Sequence, residues 1–277
     1  MLKKKPLKNV LIDCLASSKA VLAVNVQSIQ QIEILSSLSL ELKRELIIQF
    51  SAKYIPYFEK IIGIETILNK YKTNNYLYFH LDHCNDESLI IYCIKCGFDS
   101  VMFDGSKSSI KENIYNTKRI VSKAKIHEIL VEGEVGIVGG VEDGFGEEGS
   151  TIFNMDEALY FYKESGVDLI ALGIGNAHGV YSSNKCVDIE LLSTFQKNLE
   201  VKSQLVLHGA TGLDDEQISK AIEFGVVKIN LSTELKLLYQ KVIMELGGRK
   251  THDEIYFYTE LKEKLRPVIE NKIKKIM

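Results

Sequence analysis

The most constraining feature of this sequence is a regular alternation of short apolar runs with amphipathic helical patterns. Patterns such as "IKENIYNTKRIVSKAK" and "DDEQISKAIEFG" separate most of the runs. Strands that alternate with helices form a parallel sheet, and eight strands close that sheet into a barrel. The sequence therefore predicts an α/β fold, a TIM (β/α)8 barrel. The eight predicted strands, rich in β-branched and aromatic residues, lie within 20–26, 45–50, 76–83, 100–106, 130–136, 168–175, 203–210 and 226–232.

An open, doubly wound sheet is the alternative fold. Such a sheet commonly carries a glycine-rich phosphate motif after its first strand, and "VNVQSIQQ" has no glycine there. The length of 277 residues suits one barrel. We therefore expect a single domain over 1–277, with 251–277 as a charged, helical C-terminal extension.

Composition narrows the functional class. The hydrophobic fraction is 45% and the formal net charge is −3, which is typical of a globular protein and gives no sign of binding nucleic acid or a membrane. No apolar run approaches the roughly 20 residues of a membrane span, and the N-terminus shows no secretory signal. Five cysteines, an odd number, favour a reducing cytoplasm. The pair Cys93 and Cys96 lies in a helical pattern, where packing is a better interpretation than zinc binding.

Ionisable residues cluster where the predicted strands end. The carboxyl ends of barrel strands meet at one rim, where barrel enzymes carry their active sites. Three imidazoles that converge from different strands are suited to a catalytic Zn²⁺, although each histidine could instead be a hydrogen-bonded core residue. His80, three residues earlier than the first of them, is expected to pack or to support a ligand. The residues at this rim are Asp82, His83, Asp104, Glu132, Glu134, His178 and His208.

Two further patterns lie at the same rim. "HGATG" and "NLSTE" follow the seventh and eighth strands, the usual position of a barrel phosphate site. The glycine-rich segment "GEVGIVGGVEDGFGEEG" is acidic and would repel a phosphate. Its glycines, with Glu142 and Asp143, favour either a lid that carries a base or a solvated acidic loop.

These motifs together resemble one family, the class II, metal-dependent ketose-bisphosphate aldolases, which include fructose-bisphosphate and tagatose-bisphosphate aldolases. The resemblance runs in family order from about residue 76 to 235, and the preceding segment matches more loosely. The segments that carry it are "HLDH", "GFDSVMFDGS", "VEGEVG", "GGVEDG", "SGVDLIALGIGNAHGVY", "LVLHGATGL" and "AIEFGVVKINLSTEL".

The resemblance implies a role for each matching residue. His83, His178 and His208 would bind a catalytic Zn²⁺, and Asp104 and Glu134 would provide an alternate metal position or bind a second divalent or monovalent cation. Asp82 would transfer a proton at the aldehyde-derived oxygen, and Glu142 would take the C3 proton of dihydroxyacetone phosphate. The residues expected to hold that sugar phosphate are Gly179, Gly209, Ala210, Thr211, Asn230, Leu231, Ser232 and Thr233.

The implied reaction is reversible cleavage of a ketose 1,6-bisphosphate, fructose bisphosphate first, to dihydroxyacetone phosphate and glyceraldehyde 3-phosphate. A tagatose-bisphosphate aldolase and a sugar-phosphate-binding homologue without turnover are the alternatives. Cys84 and Lys107 depart from the family pattern at the rim, which bears on the choice of sugar. Lys228, in the eighth strand, would neutralise phosphate or pack. The resemblance also implies a homodimer or homotetramer.

Overall fold

A computed structural model describes residues 4–142, 145–147, 151–179, 187–211, 213–247 and 253–276. Eight of the described strands, all parallel, close into a barrel with β1 beside both β2 and β10. The predicted TIM barrel is therefore confirmed. The barrel strands are β1 Val21–Asn25, β2 Leu46–Ser51, β3 Leu77–Cys84, β4 Ser100–Phe103, β5 Leu130–Val135, β8 Leu169–Leu172, β9 Gln204–Leu207 and β10 Val226–Leu231; the short antiparallel pair β6 Gly140–Glu142 and β7 Phe145–Glu147 lies outside it.

Helices connect the strands as the amphipathic patterns predict. Three caps show how the sequence sets helix ends. Asp86 accepts hydrogen bonds from two backbone N–H groups at the start of α5, Gly97 ends that helix in the left-handed conformation, and Asp214 forms a capping box with Gln217 at α9. The helices are α1 Leu7–Ser17, α2 Ile29–Leu42, α3 Ile55–Ile61, α4 Ile64–Tyr71, α5 Glu87–Cys96, α6 Ile110–Lys125, α7 Met155–Ser165, α8 Glu190–Lys197, α9 Asp215–Glu223, α10 Thr233–Gly247 and α11 Glu254–Ile276.

The main hydrophobic core lies between the barrel and its helices. Phe50 of β2 is fully buried there, and its ring meets those of Phe58 and Phe98 edge to face, with centroids 5.0 and 5.8 Å apart. Such contacts add to the stabilisation from area burial. This cluster fixes β2 against the helices that surround it.

The barrel interior divides into an apolar and a polar half. At the amino-terminal end of the strands, side chains such as Val21, Ile47 and Tyr78 form a second apolar cluster. Helix α1 covers this end with Leu7 and Leu11, which the sequence did not predict. Toward the other end the interior side chains become charged or amide-bearing, so the functional site lies opposite α1.

The predicted C-terminal helix is observed as α11. Its Ile269 and Ile273 are buried in the main core, and the Ile276 carbonyl accepts a hydrogen bond from the Ala20 N–H at the start of β1. The helix therefore packs on the barrel along its apolar stripe. Within the described residues, no helix combines the length and apolar character that crossing a bilayer requires.

We predict that Phe50→Ala lowers the free energy of unfolding by about 3–5 kcal/mol, because it leaves a cavity among three rings. Urea denaturation followed by circular dichroism measures the change. Tyr160→Ala, at a side chain 49% exposed, is the control and should stay within about 0.5 kcal/mol of the unaltered protein. Equal losses in the two variants would contradict this account of the core.

Candidate active site

Strand β3 ends in an irregularity that turns two adjacent side chains toward one site. The pairing of β3 with β4 shifts register between Leu81 and Cys84, and His83 has a φ of +41°. Neighbouring residues of a regular strand point to opposite faces. A bulge removes that restriction, and here it allows Asp82 and His83 to face the same interior. The positive φ of a non-glycine residue is strained, a feature that concentrates at functional sites.

Three histidines from separate parts of the chain meet at the rim, as the strand ends predict. The ring centroid of His83 lies 4.8 Å from that of His208 and 5.1 Å from that of His178. One ring nitrogen from each lies within 4.8 Å of the other two. These imidazoles can therefore reach a single ion.

Hydrogen bonds to carboxylates determine which nitrogens are available. Asp104 lies 2.8 Å from Nδ1 of His83, and Glu132 lies 2.8 Å from Nε2 of His208. A carboxylate only accepts, so each of these nitrogens carries hydrogen. The lone pairs of the remaining nitrogens, Nε2 of His83 and Nδ1 of His208, then face each other across 3.0 Å.

This arrangement of lone pairs fits a bound cation. Two facing lone pairs repel unless a proton or metal ion lies between them, and nitrogen ligands bind Zn²⁺ at about 2.0–2.1 Å. Carboxylates that accept from the second ring nitrogen are the usual partners of metal-binding histidines. The donor set is therefore suited to zinc, with His178 as the third ligand.

The carboxylates give the site a strong negative potential. Burial lowers the pKa of His83, but three neighbouring carboxylates outweigh burial and raise it to about 10. Burial raises the pKa of Glu134 to about 8, and the nearby Asp104 carboxylate adds to the rise. A divalent cation would compensate the same potential that raises both pKa values.

A second group of ligands shares His83. His83, Asp104 and Glu134 bring one nitrogen and two carboxylate oxygens within 4.8 Å of one another. The Oε2 atom of Glu134 is buried and finds no hydrogen-bond partner among the described residues. The structure thus brings both predicted carboxylates next to the histidine cluster, where they could hold a second or displaced cation.

Amide side chains hold Asp82 beside the histidines. Asn25 donates through Nδ2 to one Asp82 oxygen at 2.7 Å, and Asn230 approaches the other oxygen at 3.4 Å. Gln49 fixes Asn25 by donating to its Oδ1 at 2.8 Å. Asp82 is 3% exposed, so this carboxylate is oriented almost entirely by the protein.

The predicted sugar-phosphate residues fall into two loops and one helix end. Gly209 has a φ of +61°, and a Cβ there would lie 2.2 Å from the Ala177 carbonyl oxygen, so only glycine fits. The buried Oγ of Ser232 has no partner within the described part of the chain. Leu231 lies in the core, so only its backbone could reach a ligand. Of the others, Gly179, Ala210, Thr211 and Asn230 lie at the strand ends and Thr233 begins α10.

The acidic glycine-rich segment begins with the hairpin β6–β7 rather than with irregular loop alone. The hairpin packs on the histidine loop: His178 N–H donates to the Gly139 carbonyl, and a Cβ on Gly140 would meet the His178 carbonyl at 2.3 Å. Movement of this segment is therefore coupled to a metal-ligand loop. The backbone of Glu142 is in β6, while its side chain and Asp143 lie outside the described residues.

A pocket of about 300 Å³ opens beside the histidines. Its lining includes His83, Glu134 and His178, together with Lys107 at the rim. The volume suits a small polar substrate. This pocket places the predicted rim departure Lys107 next to the metal centre.

Other sequence predictions are also resolved. Cys93 and Cys96 lie on α5, with Cys93 buried in the core, which confirms helix packing. His80 is buried with Nδ1 2.8 Å from the Ser100 hydroxyl, outside both ligand groups. Lys228 is enclosed in the barrel and pairs with Glu132 at 2.9 Å, so the phosphate role considered for it is wrong.

Sequence reasoning missed the amides Asn25, Gln49 and Asn176 as site residues. Asn176 donates to the His208 carbonyl at 2.9 Å while its own side-chain oxygen accepts from Ile174 N–H. Amides do not titrate, so a search for ionisable residues at strand ends passes over them. Their position at the ends of strands or in the loops that follow was the available signal.

Comparison with known proteins agrees with this geometry. The family model "Fructose-bisphosphate aldolase class-II" matches residues 5–277. The chain belongs to the class II fructose-bisphosphate aldolase family. It is accordingly an aldolase, a carbon–carbon lyase.

Three relatives illustrate the range of the family. A fructose-bisphosphate aldolase from Ureaplasma parvum serovar 3 is 36% identical over 231 residues, 82% of this chain and 78% of the relative. A sulfofructosephosphate aldolase from Alkalicoccus urumqiensis is 40% identical over 162 residues, 58% of this chain and 56% of the relative. The YdjI aldolase structure from Escherichia coli K12 is 26% identical, with a TM-score of 0.83 over 98% of this chain and 96% of its own.

We predict that the metal-free protein binds zinc and that His83→Ala or His208→Ala weakens this binding more than about 100-fold, beyond the effect typical of losing a supporting hydrogen bond. Competition with a chromophoric chelator measures the affinity. His127→Ala, at an exposed histidine, is the control. Wild-type affinity in either ligand variant would show that these imidazoles do not hold the metal.

Proposed function

We propose that this aldolase uses Zn²⁺ to cleave a ketose 1,6-bisphosphate into dihydroxyacetone phosphate and glyceraldehyde 3-phosphate, reversibly. The observation that carries the proposal is the convergence of three imidazoles beside Asp82, a carboxylate held by amides. The fructose-bisphosphate aldolase from Ureaplasma parvum supports the choice of substrate.

His83, His178 and His208 would hold the zinc ion. Bound there, zinc would supply Lewis-acid stabilisation of the negative charge that develops on the substrate when the C3–C4 bond breaks. The neutral imidazoles leave the ion its full charge. Asp104 and Glu134 would offer a second or alternate cation position, either divalent or monovalent.

Asp82 would take the proton from the C4 hydroxyl as the bond breaks and return it in condensation. Donation from Asn25 at 2.7 Å fixes the carboxylate plane, so the proton moves to and from a defined position. Burial of Asp82 limits exchange of that proton with water. Glu142, on the hairpin beside His178, would exchange the C3 proton of dihydroxyacetone phosphate.

The phosphate of the three-carbon product would lie over the loops that follow β9 and β10. Gly209, with its positive φ, allows close approach of backbone N–H groups, and the unpartnered Ser232 hydroxyl can donate. Thr233 begins α10, whose N-terminal N–H groups favour an anion. The remaining contacts are assigned to Gly179, Ala210, Thr211, Asn230 and the Leu231 backbone.

A related substrate is supported by the second relative. A sulfofructosephosphate aldolase shares 40% identity over 58% of this chain, and its substrate carries a sulfo group as well as phosphate. Tagatose 1,6-bisphosphate and a binding protein without turnover complete the alternatives. We also propose a cytoplasmic homodimer or homotetramer, which light scattering after size-exclusion chromatography would test.

We predict that zinc-loaded protein cleaves fructose 1,6-bisphosphate, that EDTA abolishes this activity, and that added zinc restores it. Release of triose phosphate in a coupled assay measures the rate. The same assay with tagatose 1,6-bisphosphate and sulfofructose phosphate ranks the substrates. Activity that survives complete chelation and is trapped by borohydride would overturn the metal mechanism; binding without product would identify the non-catalytic homologue.

We predict that Asp82→Asn lowers kcat about 10²–10⁴-fold while zinc remains bound, because the amide keeps the shape but cannot accept the proton. Steady-state kinetics and metal content are measured on the same preparation. Asp156→Asn, at an exposed residue of α7, serves as the control. A near-normal kcat in Asp82→Asn would remove Asp82 from the proton-transfer step.

A further inference from the structure

Lys228 lies at the centre of a buried polar chain that joins the two halves of the site. Its residue is 0% exposed, and its Nζ lies 2.9 Å from Glu132 Oε2 and 2.8 Å from Asn230 Oδ1. Glu132, also 0% exposed, accepts through Oε1 from His208. We infer that Lys228 is a positioning residue that orients the metal ligand His208 through Glu132 and the proton-transferring Asp82 through Asn230.

The first arm fixes the His208 ring. Lys228 occupies one Glu132 oxygen, which leaves the other to accept from Nε2–H of His208 at 2.8 Å. The opposite nitrogen, Nδ1, then points at Nε2 of His83 across 3.0 Å, where the metal would lie. If Glu132 turned away, the ring could take the other tautomer and present a hydrogen there instead of a lone pair.

The second arm fixes the Asn230 amide. An ammonium group only donates, so the Asn230 atom 2.8 Å from Lys228 is the carbonyl oxygen. The amide nitrogen is consequently directed to Asp82 Oδ1 at 3.4 Å. The reversed amide would set a carbonyl oxygen against a carboxylate, which is repulsive. Lys228 therefore selects the amide orientation that supports Asp82.

Stability alone does not account for this pair. A buried ion pair is rarely more stabilising than well-packed apolar side chains of similar volume, because both charges lose their hydration. The amino-terminal half of the same barrel interior is apolar and shows that this alternative fits the fold. Since both contacts of the ammonium lead to proposed site residues, orientation is the property that distinguishes it.

The test compares Lys228→Met with the double variant Glu132→Gln/Lys228→Met. We expect Lys228→Met to weaken zinc binding about 10–100-fold, the effect typical of losing support for a metal ligand. In the double variant the introduced amide oxygen still accepts from His208 and no charge is left unpaired. Its zinc affinity should recover most of that loss, whereas kcat at saturating zinc stays low because Asn230 lacks its donor.

Readouts other than activity separate positioning from general damage. Chelator competition gives the zinc affinity, and ¹H–¹⁵N spectra of the metal-free protein report whether His208 keeps its hydrogen on Nε2. Lys220→Met removes an exposed lysine that pairs with Glu216 at 2.9 Å, and should change neither. Circular dichroism checks that each variant is folded.

Two results would overturn the inference. One is Lys228→Met with zinc affinity within threefold of wild type and an unchanged His208 tautomer. The other is a folded double variant with wild-type kcat, which decides the question even if Lys228→Met alone fails to fold. The inference rests on the proposed zinc site, but affinity and tautomer are measured without substrate. Failure of the wild-type enzyme to cleave ketose bisphosphates would therefore refute the proposed function without deciding this inference.

Discussion

The charges buried in the upper half of the barrel must be balanced by one another, and this constraint organises the site. Val21, Ile47 and Tyr78 close the interior from below, and α1 covers them. A charge above that layer has little water to turn to, and burying it unpaired would cost several kcal/mol. Glu132 meets this requirement through Lys228 and His208. The hydrogen-bond pattern that satisfies the carboxylate also determines which imidazole nitrogen faces the metal position.

Much of this arrangement follows from sequence because parallel strands place their carboxyl ends at one rim. His83 and His208 are 125 residues apart in the chain, yet each ends a run that the pattern identifies as a strand. The barrel then brings them together without any knowledge of distance. Asp104 and Glu134 follow by the same rule. The family resemblance added roles to positions that the strand pattern had already grouped.

What sequence could not supply depends on pairing across the barrel and on local irregularity. Lys228 and Glu132 lie 96 residues apart, and their pairing requires the ring of strands to bring them face to face. The β3 bulge that turns Asp82 and His83 to the same side contradicts strict alternation, so periodicity cannot anticipate it. Helix α1 and the hairpin β6–β7 were missed for a related reason: each gains its structure from packing against the barrel rather than from a strong local pattern.

Chemistry and substrate choice are built from different parts of the molecule. The groups proposed to hold zinc and move the C4 proton are fixed by contacts inside the barrel, such as Gln49 to Asn25 and Glu132 to His208. Lys107, by contrast, is exposed at the pocket rim, where a substitution disturbs no buried charge. Relatives named for fructose bisphosphate and for sulfofructose phosphate differ in the sugar they name. A barrel that fixes the reaction centre internally can change its rim for another sugar without reassembling the centre.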